Sequence, residues 1–184
     1  MLEEHLGGHN GLTHLDEGAL DWLQKLGHKS FLDIGCGPGG MVQLAEQKGF
    51  DSIGIDGDYT LERYKTSRFI IHDFQNGPAP VDRIFDVGWS VEFVEHVYEK
   101  YIPNYAQAMQ KCKNLIMTHA VVGQTGYHHV NCQNAPYWID KMSEYGFKLD
   151  EEKTKQLRIH STMGKKKKHR FLEKTGMYFV NEKI

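Results

Sequence analysis

Glu92, Glu95 and His96 stand at i, i+3 and i+4 in the run Glu92-Phe93-Val94-Glu95-His96. On a helix that spacing puts all three side chains on one face. Two carboxylates and an imidazole crowded there repel one another and give up water poorly unless a cation sits between them. Carboxylate oxygens with imidazole nitrogens suit Mg²⁺, Mn²⁺, Fe²⁺, Co²⁺ or Zn²⁺, and Mg²⁺ or Mn²⁺ is the expected working ion. A cation there would lower the pKa of a hydroxyl and orient it for attack. Without one, His96 could serve as a general base. The plainer reading is an ordinary surface helix with its polar residues outward.

A second constellation lies upstream, in Phe31 to Gly40, reading FLDIGCGPGG. A short apolar strand, Phe31 to Ile34, runs into Gly35, Gly37, Gly39 and Gly40, and then into an apolar-periodic helix from Met41. Strand, glycine turn and helix bring backbone N–H groups and a helix N-terminus up to a nucleotide-like ligand. Gly35-x-Gly37-x-x-Gly40 also fits the dinucleotide fingerprint, so a nicotinamide oxidoreductase competes. No substrate domain follows to support it. Asp33, two residues before the first glycine, points elsewhere, because a carboxylate at that strand end needs a cationic or N–H partner.

Asp33-x-Gly35-x-Gly37-x-Gly39 resembles the first motif of class I S-adenosylmethionine-dependent methyltransferases. The resemblance implies S-adenosylmethionine as cofactor, with the acid near its methionine part. Asp56 ends the next strand, nineteen residues after Gly37, the place for an acid that accepts hydrogen bonds from ribose hydroxyls. Asp73 ends a third strand, where the family contacts the adenine amino group. The cofactor set implied is Asp33, Gly35, Cys36, Gly37, Gly39, Asp56, Gly57, His72, Asp73, Phe74 and Ser90. Cys36 answers only the turn's demand for a small residue, and His72 also reads as a structural strand-end histidine.

Glu-x-x-Glu-His after the fourth strand looks like the metal motif of ubiquinone-biosynthesis O-methyltransferases and of small-RNA 3′-terminal 2′-O-methyltransferases. The RNA enzymes add a histidine from beyond the fifth strand. The stretch from Gly123 to Trp138 is similar to small bacterial and phage methyltransferases, often associated with surface-sugar genes, in which Gly-His-(Ile/Val)-Asn precedes a Tyr-Trp helix. That resemblance implies Glu92, Glu95, His96 and His129 as metal ligands, with His128 second to His129. It implies Glu92, His96 and His129 as catalytic residues in single-step methyl transfer to a small hydroxylated acceptor such as a sugar. Ribose 2′-O-methylation of RNA and metal-free transfer with a histidine base remain as alternatives.

The elements that must position these groups read as an α/β chain. Leu15, Ala19, Leu20, Trp22, Leu23 and Leu26 repeat at helical spacing, with Thr13 as the expected cap. Strands are expected over 51–56, 69–73, 84–89, 114–118, 147–149 and 177–180, and helices over 103–112 and 137–142. Residues 74–83 are too short and too rich in Pro and Gly for a full helix. The fold expected is a doubly wound, Rossmann-like sheet of about seven strands, mostly parallel with an antiparallel C-terminal end.

The 184 residues suit one domain over 1–184, with 1–12 as a flexible lead-in. Net charge is −2, yet Lys165 to Lys168 and Arg170 carry five positive charges, leaving −7 elsewhere. The basic loop, 164–170, reads as solvated, with phosphate contact to nucleic acid as the sharper alternative. Three scattered cysteines form no disulfide framework, no apolar run suggests a signal peptide or membrane span, and a cytoplasmic location in a bacterial or phage-infected cell is expected. The sequence carries no sign of oligomeric state.

Overall fold

The computed structural model describes residues 2–60, 68–164 and 169–184. The basic run Lys165 to Lys168 lies outside them. Seven strands form one sheet in the order β3-β2-β1-β4-β5-β7-β6. They are β1 Ser30–Ile34, β2 Asp51–Asp56, β3 Phe69–Ile71, β4 Phe85–Ser90, β5 Cys112–Met117, β6 Phe147–Leu149 and β7 Met177–Asn181. The first five pair in parallel, and β7 runs antiparallel to β5 and β6.

Strand periodicity sends alternate residues to two cores. Leu32, Leu115, Met117 and Phe179 face one, covered by α3 Ile102–Met109 and α4 Ala135–Glu144 through Tyr105, Met109, Trp138 and Met142. Phe31, Ile116 and Tyr178 face the other, covered by α1 Glu17–Lys25 and α2 Gly40–Gln47 through Leu20, Leu23, Met41 and Ala45. Helices on both faces make the sheet doubly wound, as expected.

Several local expectations are corrected. Two helices, α5 Glu151–His160 and α6 Phe171–Thr175, fill the gap between the last strands. α5 is mostly charged and buries only Thr154 and Leu157, so its apolar periodicity is faint. Helix α1 is capped by Asp16, whose carboxylate accepts the Ala19 N–H at 2.9 Å, and not by Thr13. Asp16 is fully buried and also accepts from the Ser161 hydroxyl and the Thr162 N–H, which ties α1 to the end of α5. Thr13 serves a different helix: its hydroxyl accepts the Gly40 N–H at 3.2 Å, at the start of α2.

Candidate active site

The glycine turn forms as the sequence predicts. Gly35 has φ +78°, and a side chain there would overlap the Phe93 ring, so both conformation and space require glycine. The Asp56 carboxylate accepts the Gly37 N–H at 2.7 Å and the Asp58 N–H at 2.9 Å. It therefore holds the glycine turn against the end of β2 while keeping lone pairs for a ligand. Asp33 is 3% exposed and makes no side-chain hydrogen bond among the described residues. Burial, with the neighbouring Asp56 charge, pushes its carboxyl well above the usual range. A cationic ligand beside it would reverse that shift.

Two cavities meet at this turn. The smaller, about 80 Å³, is bordered by Asp56, Gly57, His72, Asp73, Phe74 and Gly35. The larger, about 280 Å³, is bordered by Asp33, Cys36, Gly37, Glu92, His96 and His129. The expected cofactor and catalytic residues at these cavities thus converge from the ends of β1, β2, β3 and β4 and from the loop after β5. Gly39 and Ser90 border neither cavity. Gly39 is the left-handed cap of α2, and Ser90 is fully buried with an unpartnered hydroxyl.

The expected flexible lead-in, 1–12, instead packs across both cavities from His5 to Leu12. His5 contacts the Asp73 carboxylate at 3.1 Å, and His9 contacts that of Asp58 at 2.9 Å. Leu6 presses on Gly57, His9 on Gly37, and Gly8 on the His96 ring. The smaller cavity falls well below the ~300 Å³ at which ligand pockets begin, because His5, Leu6 and His9 occupy its mouth. A run of Gly and His with no apolar period carried no sequence signal for that packing.

The Glu92–His96 stretch is not an α-helix. Glu92 sits at φ +56°, and only Val94–His96 form a single 3-10 turn. Thr118, at the end of β5, stabilises the unusual backbone: its hydroxyl accepts the Glu92 N–H at 2.8 Å and donates to the Glu92 carboxylate at 3.0 Å. Sequence reading missed Thr118, as it did Phe93, His5 and His9. The turn brings Glu95, His96 and His129 together, with one potential ligand atom from each within 4.8 Å of the others. Glu92 lies outside that triad but close enough for its charge to raise the Glu95 carboxyl.

Burial dominates the electrostatics of the cluster. Glu95 is fully buried, and among the described residues its carboxylate oxygens have no hydrogen-bond partner beyond a weak contact with their own backbone N–H. Burial, then Glu92, pushes its carboxyl well above the usual range. Burial raises Glu92 to about 7 against the Thr118 bond. Burial and His129 lower His96 to about 4, and His96 Nδ1 is also buried without a partner among the described residues. Polar groups are normally buried only with partners, so this donor set fits a divalent cation. His129 is prepared for such a role, since its Nδ1 contacts the Gln124 carbonyl at 3.1 Å. Donation there leaves Nε2 as the free lone pair. His128 instead adopts φ +47° and packs against Tyr98, outside the triad.

A family model described as "Methyltransferase domain" matches residues 12–152. Solved structures share the fold at low identity. Magnesium protoporphyrin IX methyltransferase from Synechocystis PCC 6803, with bound S-adenosylhomocysteine, superposes with a TM-score of 0.58 at 15% identity, over 90% of this chain and 81% of that one. A TehB-like S-adenosylmethionine-dependent methyltransferase from Corynebacterium glutamicum gives 0.58 at 17%, over 72% and 74%. The methyltransferase domain of bacterial CtHen1 gives 0.53 at 16%, over 88% and 94%. No curated protein sequence matches the chain.

Proposed function

The chain belongs to the methyltransferase-domain family of S-adenosylmethionine-dependent enzymes, and from that premise we propose that it methylates an oxygen of a small hydroxylated acceptor, such as a sugar, with a divalent cation beside the acceptor. The observation that carries this reading is the buried, unpartnered Glu95 carboxylate next to His96 and His129. A cation held among them satisfies all three without protonating the acid.

Each group then has a task. Asp33 takes the cationic amino group of the donor, Asp56 its ribose hydroxyls, and Asp73 the adenine edge. Gly35 and Gly37 let the backbone approach it closely. Glu95, His96 and His129 would hold Mg²⁺ or Mn²⁺, with Glu92 completing the shell or receiving the acceptor proton. When bound, the donor supplies an electrophilic methyl group and the cation supplies Lewis acidity that lowers the hydroxyl's pKa. Burial alone raises Glu92 to about 7; a cation beside it would bring that value down and keep the carboxylate ionised to accept the proton. Phe93 and the segment over residues 4–13 exclude water from the cleft.

The test is methyl transfer from S-adenosylmethionine to a panel of sugars, catechols and ribonucleosides, with added Mn²⁺ or with EDTA. The proposal expects transfer to a hydroxyl that EDTA abolishes and Mn²⁺ restores. Full transfer in EDTA would leave the histidine-base version and remove the cation.

A further inference from the structure

The larger cavity is also lined by Asn10, Thr13, His14, His169 and Phe171. The two imidazoles among them are 5.6 Å apart between ring centroids. Phe171 holds both, meeting His14 edge-on at 4.7 Å and stacking with His169 at 6.2 Å. Neither imidazole has a hydrogen-bond partner among the described residues. None of these five residues is an acid; Asp33 and Glu92 line the same cavity. Each ring carries at least one N–H donor in any protonation state. Desolvation and the adjacent His169 depress the pKa of His14.

A pair of unpaired donors, fixed by an aromatic ring, is suited to an oxyanion. We propose that His14 and His169, held by Phe171, form a subsite for an anionic substituent, phosphate or carboxylate, of the acceptor. This rests on the acceptor reading above and adds a substrate class to it. The hydroxyl to be methylated lies toward Glu95 and His96, and the anionic group toward His14 and His169. The cavity of about 280 Å³ is shared with Asp33, Gly35 and Gly37 of the donor turn, so the room beside the donor suits a small anion such as a sugar phosphate or sugar acid.

The test follows the imidazole nitrogen–proton correlations of the full chain by NMR, during titration with inorganic phosphate or acetate at constant ionic strength in chloride. The structure expects His14 and His169 to shift along one saturation curve with at least one of the two anions, and the anion that binds identifies the substituent. His169→Ala should weaken that binding at least tenfold, and His14→Gln gives a second variant if His14→Ala fails to fold. S-adenosylhomocysteine affinity, measured by calorimetry on the same samples, should stay as in the unaltered chain. Immobile His14 and His169 signals with both anions, unchanged affinity in His169→Ala, or a response to single-stranded RNA alone would each overturn the subsite. Loss of S-adenosylhomocysteine binding by the unaltered chain would instead remove the donor reading on which it rests.

Discussion

The backbone carbonyl of Glu95 accepts the Val130 N–H at 2.9 Å, and that bond places His129 beside the Glu95 carboxylate. The same carbonyl also accepts the Asn131 N–H at 3.1 Å. The loop after β5 is thus stapled to the turn after β4, and two distant stretches of sequence become one ligand cluster. The position of His129 follows from main-chain bonds, while the carboxylate itself remains free.

That freedom has a stability consequence. An unsatisfied buried polar group costs about 1–3 kcal/mol. Glu95→Met should therefore stabilise the metal-free chain by about that amount in urea unfolding and abolish any stabilisation by Mn²⁺. A variant less stable than the parent, with Mn²⁺ stabilisation retained, would show that Glu95 is satisfied in some other way.

The N-terminal segment should govern donor exchange. Gly57 accepts the Leu6 side chain where a β-carbon would collide with it, and its φ is not positive. Gly57→Ala should push residues 4–13 away while leaving β2 intact. Stopped-flow binding of S-adenosylhomocysteine should show association and dissociation both faster, by roughly tenfold for each 1.4 kcal/mol of closure lost. Unchanged rates would mean that the segment does not cover the donor. His9→Ala, which removes the contact to Asp58, should act in the same direction.

Asp56 acts on the loop as well as the ligand. Asp56→Ala removes the acceptor for the Gly37 and Asp58 N–H groups. Calorimetry should record at least a tenfold loss of S-adenosylhomocysteine affinity, with adenosine weakened in proportion because the ribose contact goes with it. Retained adenosine affinity would move the ribose contact elsewhere.

Acid should destabilise the sheet through Asp86. Burial raises its pKa, but the Lys113 ammonium at 2.9 Å and the N–H groups of Lys29 and Ser30 outweigh that and hold it at about 2. The folded value lies below the ordinary 3.8, so the stabilisation is complete above about pH 4 and is lost as pH falls through about 2. Unfolding free energy should drop by roughly 1–2 kcal/mol over that interval. Asp86→Asn should flatten the drop, and an identical slope in the variant would assign it to other carboxylates.

Much of this architecture is legible in the sequence where one residue meets one local demand. Asp33, Gly35, Gly37 and Asp56 could be placed because a strand, a glycine turn and a second strand follow in close succession. The grouping of Glu95, His96 and His129 was also foreseen, but for a partly mistaken reason. The i, i+3, i+4 spacing suggested an α-helical face, whereas a left-handed Glu92 and one 3-10 turn produce the cluster. That conformation depends on Thr118, which no local pattern connects to Glu92. The roles of His5, His9, His14 and His169 come from packing between remote segments, so they leave no periodicity to read. Helix α5 was missed because its exposed, charged face dominates its composition.

The most direct measurement is anomalous diffraction at the manganese edge from crystals grown with S-adenosylhomocysteine and Mn²⁺. The expected result is one manganese peak bonded by Glu95, His96 and His129, with the nucleoside along Asp56 and Asp73 in the adjoining cavity. A bound nucleoside with no manganese among those three side chains would contradict the cation-assisted reading of this site.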